Sequence, residues 1–151
     1  MFNKEFVKVY MKFKLKFYKS LFEKIQSRET SLTTVETFCI ETIYAMDNPT
    51  VSEFASFINI SSPNAAYKIN SLIKKGYLKK VQSEDDKREF HLEVTDKYLS
   101  YYNLSTSYID EVSERIKSRF TEEEIETVEK VLRVMSEELM PELDDIRNIK
   151  V

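Results

Sequence analysis

Between Ser61 and Ser83 the chain carries five lysines, Lys68, Lys74, Lys75, Lys79 and Lys80, and no Asp or Glu. Ammonium groups gathered without carboxylates are suited to binding phosphate and displacing its counterions. On a helical wheel, Ser62, Asn64, Tyr67, Lys68, Ser71 and Lys75 fall opposite the apolar stripe Ala65, Ile69, Leu72 and Ile73. A plain solvated face interleaves Glu with Lys. This one offers hydroxyls, an amide, a phenol and amines, the groups that meet base edges and phosphates in a major groove. Shortly after it, Asp86-Lys87-Arg88 lies between two short runs of strand character, where a cation could enter a minor groove.

Other chemistry finds little to work with. His91 is the single histidine, and its strand phase points it to solvent, a poor place for a general base. Neither a Gly-rich phosphate loop nor a nucleophile elbow occurs, and the acids of the C-terminal third occupy capping and solvent positions without converging as a pair. One His and one Cys on different elements do not make a zinc site. Cys39 falls on the buried face of a helix, so it reads as core, because a redox-sensing thiol needs exposure and nearby cations. The expectation is a protein that is not an enzyme and takes no cofactor or metal.

These residues need a scaffold, and composition says what kind. With 42% hydrophobic and 32% charged residues in 151, the chain fits one folded domain. One Gly and three Pro leave few turns, so most of it should be helix. The net charge of −3 is unevenly spread: Asp110 to Asp145 holds thirteen acids against five bases, a local −8 beside the basic middle. No apolar run approaches the roughly 20 residues that cross a bilayer, and the Lys-rich start lacks a hydrophobic signal core. A lone Cys agrees with a reducing compartment, so the expected location is cytoplasmic, away from membranes.

Phe2, Phe6, Val9, Phe13, Phe17 and Leu21 recur at helical spacing and predict a first amphipathic helix. Leu32, Val35, Phe38, Cys39, Ile43 and Met46 predict a second, stopped at Asp47-Asn48-Pro49. Thr50 and Glu53 have capping-box spacing for a third helix, with Phe54, Ala55 and Ile58 inward and Asn59 at its left-handed end. Ser61 caps a fourth, whose first turn holds Pro63 and whose end is marked by Gly76. Two short helices joined by a few residues are the skeleton of a helix-turn-helix.

Tyr77 to Gln82, the polar turn Ser83 to Lys87, and Phe90, Leu92 and Val94 alternating with polar residues then predict a hairpin. From Thr95 or Asp96 a long helix runs toward Phe120, with Tyr98, Tyr102, Ile109, Val112 and Ile116 on one side. Thr121 and Glu124 form another capping box, and Ile125, Val128, Leu132, Met135 and Leu139 line the last helix. After Pro141, Leu143, Ile146, Ile149 and Val151 remain apolar. Apolar faces on both terminal segments exceed what one small domain buries, which suggests a helical dimer.

From Leu32 to about Tyr102 the chain resembles the multiple-antibiotic-resistance regulator (MarR) family of winged-helix repressors. The resemblance is carried by Thr50-Val51-Ser52-Glu53-Phe54-Ala55, Ile60-Ser61-Ser62-Pro63-Asn64-Ala65-Ala66-Tyr67, Leu72-Ile73-Lys74-Lys75-Gly76-Tyr77-Leu78, and Ser83-Glu84-Asp85-Asp86-Lys87-Arg88 through Val94-Thr95. The most specific piece is the Asp-x-Arg with Thr seven residues beyond the Arg, reproduced by Asp86, Arg88 and Thr95. Val94 replaces the usual Leu, Asp96-Lys97-Tyr98 replaces a common Gly-containing turn, and Ala66 and Tyr67 stand where Thr and Arg are frequent.

The resemblance implies a mainly α fold with a β-hairpin wing, a winged helix-turn-helix with long terminal dimerisation helices. Residues 1–30 and 97–151 would dimerise, and 31–96 would bind DNA, all within one compact domain. Ser62, Asn64, Tyr67, Lys68, Ser71, Lys75, Lys80 and Lys87 would contact double-stranded DNA, with Lys74 and Lys79 adding salt-dependent affinity. Arg88 would read the minor groove, oriented by Asp86. Phe6, Phe13, Phe17, Leu139, Leu143 and Ile146 would sit in the homodimer interface, and Tyr10, Phe13 and Phe17 would line a pocket for an apolar or aromatic effector. The implied protein represses transcription from a pseudo-palindromic operator. The competing expectation is a helical protein-interaction module whose wing is structural and which binds no DNA.

Overall fold

Thr50 and Thr121 open helices as their spacing predicts, and Thr33 opens a third in the same way. In each, the threonine side chain accepts from the backbone N–H three residues on, while a Glu at that position accepts from the threonine N–H. The computed structural model describes residues 1–27, 31–102, 104–144, 146 and 149–150, with only the backbone described at 25, 101, 102 and 104–106. Its elements are α1 (Phe2–Gln26), α2 (Thr34–Ala45), α3 (Val51–Phe57), α4 (Ser62–Lys74), β1 (Leu78–Gln82), β2 (Phe90–Val94), α5 (Asp96–Tyr102), α6 (Leu104–Lys117), α7 (Glu122–Glu138) and a 3-10 turn at Pro141–Leu143. The single long helix expected toward Phe120 is described as α5 and α6, ending at Lys117. Tyr102 and Val151, assigned above to apolar stripes, lie outside the described side chains. No helix among the described residues is long and apolar enough to cross a membrane.

The described chain packs as two units, Met1–Phe17 with Leu104–Arg147, and Tyr18–Asn103 with Asn148–Val151. The second unit holds the buried core: Ile40 and Ile43 of α2, Phe54 of α3, Ala65, Ile69 and Leu72 of α4, and Tyr77, Leu78, Leu92 and Tyr98 around the hairpin. Helix ends are closed by left-handed residues. Asn59 at φ 53° and Gly76 at φ 83° stand just beyond α3 and α4. At the first, Asn59 N–H donates to Ser56 and Ile60 N–H to Ala55; at the second, Gly76 N–H donates to Ile73 and Tyr77 N–H to Leu72. Both are Schellman closures, which return orphan carbonyls to partners and turn the chain sharply.

The strands pair antiparallel in the register Leu78–Val94, Lys79–Glu93, Lys80–Leu92, Val81–His91 and Gln82–Phe90. The chain before α3 adds a third extended stretch: Thr50 bridges to His91, and Leu92 N–H donates to the Pro49 carbonyl at 2.8 Å. Three expectations are corrected here. His91 is half-buried, with Nδ1 3.0 Å from the Asn48 carbonyl, because that third stretch covers it. Of Phe90, Leu92 and Val94 only Leu92 is fully buried, and Phe90, paired with Gln82 at the outer end of the ladder, is exposed. On α2, Val35 and Phe38 are exposed while Glu36 and Thr37 are buried, so the inward face is Glu36, Thr37, Cys39, Ile40 and Ile43. Polar partners for Glu36 make that phase possible.

In the first unit, Phe13 of α1 meets Tyr108 of α6 edge-on at 5.7 Å between centroids. Ile116, Phe120, Ile125 and Val128 line an apolar recess where α6 passes into α7. No described residue of α7 is buried.

Candidate nucleic-acid interface

α4 begins where the Ser61 hydroxyl accepts from Asn64 N–H, with proline in its first turn. Its buried stripe turns a polar face outward. Ser62, Asn64 and Lys74 are exposed, as is Asn70, which the wheel did not single out, and Tyr67 is 77% exposed. Lys68 is half-buried. No acid stands on this helix.

Ser71 and Lys75 differ from the sequence expectation of an outward pose. Both turn to Glu36 of α2: the Ser71 hydroxyl donates to Oε1 at 2.5 Å, and Lys75 Nζ donates to Oε2 at 2.7 Å and to the Ser31 carbonyl at 2.9 Å. Burial raises the affinity of Glu36 for a proton, but the hydrogen bonds from Lys75, Ser71 and Thr33 together prevail and hold the carboxyl down at about 2. Nothing local marks Glu36 for this role, since its side-chain partners lie 35 and 39 residues downstream.

The hairpin is latched to the end of α4. The Thr95 hydroxyl donates to the Gly76 carbonyl at 2.6 Å, and Lys97 Nζ donates to the Lys75 carbonyl at 2.8 Å while lying 4.4 Å above the Tyr77 ring. Thr95, the last residue of the spacing singled out in the sequence, is thus the latch. Across the ladder Lys79 pairs with Glu93 at 3.0 Å, which offsets its charge, while Lys80 is exposed.

At the tip, Asp86 accepts from Arg88 three times: from the backbone N–H at 3.0 Å, from Nε at 3.2 Å and from Nη2 at 3.3 Å. The Arg88 side chain first, then its N–H, lowers the affinity of Asp86 for a proton. Gln82 Nε2 closes the turn on the Lys87 carbonyl at 2.7 Å. Arg88 nevertheless remains 91% exposed, and Lys87 is exposed beside it. The tip therefore offers a guanidinium whose direction is set from one side and whose remaining donors face solvent.

Two further ionisable groups belong to this unit. Burial pushes the Cys39 thiol up, away from the thiolate form. Glu41 of α2, which sequence reading passed over, accepts from the Tyr98 hydroxyl of α5 at 2.7 Å; burial pushes its carboxyl up to about 7 against the opposing effects of Tyr98 and Lys24.

The residues expected in the dimer and effector surfaces fall on several elements. Phe6 and Tyr10 are exposed on α1, with Lys14 Nζ 5.5 Å from the Tyr10 ring, whereas Phe13 and Phe17 are half-buried. Leu139, just past α7, is 67% exposed; Leu143 is exposed and Ile146 half-buried.

Residues 32–90 match the family model described as "MarR family". The match spans the helix pair and the wing up to the first residue of β2. A search of curated protein sequences finds no match. Among solved structures, the chain is similar to a mutant MepR from a multidrug-resistant S. aureus clinical isolate, with 19% identity over 92% of this chain and 97% of that one and a TM-score of 0.61. It is similar to the transcriptional regulator Tm0710 from Thermotoga maritima, with 17% identity, coverage of 93% and 94%, and a TM-score of 0.59. It is also similar to Streptococcus pneumoniae FabT, crystallised in complex with DNA, with 22% identity, coverage of 93% and 96%, and a TM-score of 0.56. The fold is the mainly helical winged helix of these structures.

Proposed function

We propose that this chain, whose residues 32–90 carry the MarR-family match, is a sequence-specific DNA-binding transcriptional regulator that works as a homodimer and performs no catalysis. One observation carries the reading. The acid-free outer face of α4 and a guanidinium held at the wing tip by Asp86 stand on one unit whose hairpin is latched to the end of that helix. A helix of this kind fits a major groove, and a positioned arginine fits the narrow groove beside it. Ser62, Asn64 and Tyr67 would meet base edges, with Lys68, Lys74, Lys80 and Lys87 on phosphates. FabT, of the same fold, was crystallised with DNA, which supports the reading by likeness.

Two winged units on successive major grooves would read half-sites about one helical turn, roughly 10 to 10.5 base pairs, apart. The chain would repress by occluding polymerase, and an apolar or aromatic effector near Tyr10, Phe13 and Phe17 would favour a spacing of recognition helices that misses the operator. Release of bound DNA by hydrophobic carboxylates or acyl chains tests the last step; no release and no shift of melting temperature at saturation would remove it.

The test of the whole reading is binding to the DNA upstream of the chain's own gene across a salt series, beside Arg88→Ala. Salt-steep, sequence-selective binding is expected, and Arg88→Ala should weaken it by about 1 to 3 kcal/mol. Binding no better than to a random duplex would favour a helical interaction module, or a regulator of distant genes.

A further inference from the structure

The recognition helix bears fewer available cations than its sequence contains, and Glu36 is the cause. Its carboxylate accepts from the Ser71 hydroxyl, from Lys75 Nζ and from Thr33 N–H, all within 2.8 Å. Lys75 spends a second N–H on the Ser31 carbonyl at 2.9 Å. The pair is well withdrawn from water, the Lys75 side chain 28% and the Glu36 side chain 11% exposed. A lysine in that position cannot swing to a phosphate without taking the counter-ion from a nearly buried carboxylate, a heavier loss than a solvated phosphate contact returns. Lys74, one residue earlier and exposed, has no such tie among the described residues.

We propose that Glu36 is a positioning residue for DNA recognition: it fixes the rotation of α4 and withholds Lys75 and Ser71 from the duplex, leaving Lys74 as the phosphate contact at that end. The inference rests on the DNA-binding reading above. Its consequence is a gentler salt dependence. Each cation kept from phosphate lowers binding to any sequence alike, while base contacts made by Asn64 and Tyr67 are untouched, so overall affinity falls and the ratio of operator to random binding is preserved.

The experiment compares the salt dependence of binding to upstream and random duplexes for the full chain and for Lys74→Gln, Lys75→Gln and Glu36→Gln. Lys74→Gln should flatten the log–log salt slope by about 0.9, the value of one phosphate contact, and Lys75→Gln should leave it unchanged. Glu36→Gln keeps an acceptor for Thr33 N–H and sheds the charge. It should steepen the slope by about 0.9 on both duplexes and leave the ratio between them unchanged. A purely structural role for Glu36 would change stability without changing slope. The inference is overturned if Lys75→Gln flattens the slope, if Lys74→Gln does not, or if a folded Glu36→Gln leaves it as it was. Should Glu36→Gln fail to fold, the two lysine variants still decide. A native chain that binds neither duplex removes the DNA-binding reading itself, a different failure from native binding with the lysine outcomes reversed.

Discussion

Glu36 and Glu41 stand on the same helix five positions apart and titrate in opposite directions. Glu36 is held down at about 2, so the stability it contributes is complete above its ordinary 4.5 and is lost as pH falls toward 2. Glu41 is pushed up to about 7, so its contribution is complete below 4.5 and is lost as pH rises through 7, where a buried carboxyl must ionise. Glu41→Gln keeps an acceptor for the Tyr98 hydroxyl and cannot ionise. Thermal melts from pH 5 to pH 8 should show the variant gaining on the native chain as pH rises; parallel curves would mean that Glu41 does not titrate in this range. At this scale legibility follows sequence separation. Asp86 and Arg88 lie two residues apart, and their pairing was implied by the family resemblance that their motif carries. Glu36 was opaque because its partners arrive from α4, and Glu41 because its partner arrives from α5.

The elements were the most readable level, because their ends are written in local chemistry. Thr50 with Glu53 and Thr121 with Glu124 signalled helix starts, and the lone Gly76 signalled the end of α4. At φ 83° the backbone of Gly76 lies where an L side chain is strained, although an added Cβ would meet only Lys97 Cδ at 3.7 Å and Nζ at 3.9 Å. Gly76→Ala should therefore cost about 1 to 2 kcal/mol through backbone conformation alone, measured by denaturant unfolding, with no new collision to relieve. A loss of much more would point to a broken Lys97 latch. What periodicity misjudged was phase. Val35 and Phe38 read as core on α2, yet the neighbouring Glu36 and Thr37 are buried, since satisfied polar groups can displace apolar ones from an inward face. The third extended stretch at Thr50 escaped for a different reason: a single bridge leaves no alternating pattern to find.

For the whole molecule, the expectation that exceeds one chain is assembly. Phe6, Val9, Val128, Val131, Leu132 and Leu139 are exposed in the unit that contains α6 and α7. Leu139→Glu places a charge where a single chain is open to water, so folding should change by less than about 0.5 kcal/mol. If that surface is shared between two copies, the variant should sediment at half the native mass and lose affinity for a two-half-site duplex. Unchanged mass would place the dimer contact elsewhere. The apolar residues at both ends were visible in the sequence; how two copies would share them was not, because periodicity says only that a face is apolar.

The left-handed Asn59 between α3 and α4 bears on how such a protein can be switched. A glycine there would have made the turn a compliant joint, whereas an asparagine at φ 53°, closed by two backbone hydrogen bonds, allows few alternatives. The angle between the two helices thus behaves as a fixed gauge, and Asn59→Gly would loosen it from both sides, easing the native backbone while enlarging the disorder of the denatured chain. On the proposed DNA-binding reading, an adjustment between bound and unbound states would carry the helix pair as one piece, so the chain would tune where its ruler is laid on DNA and not the length of the ruler.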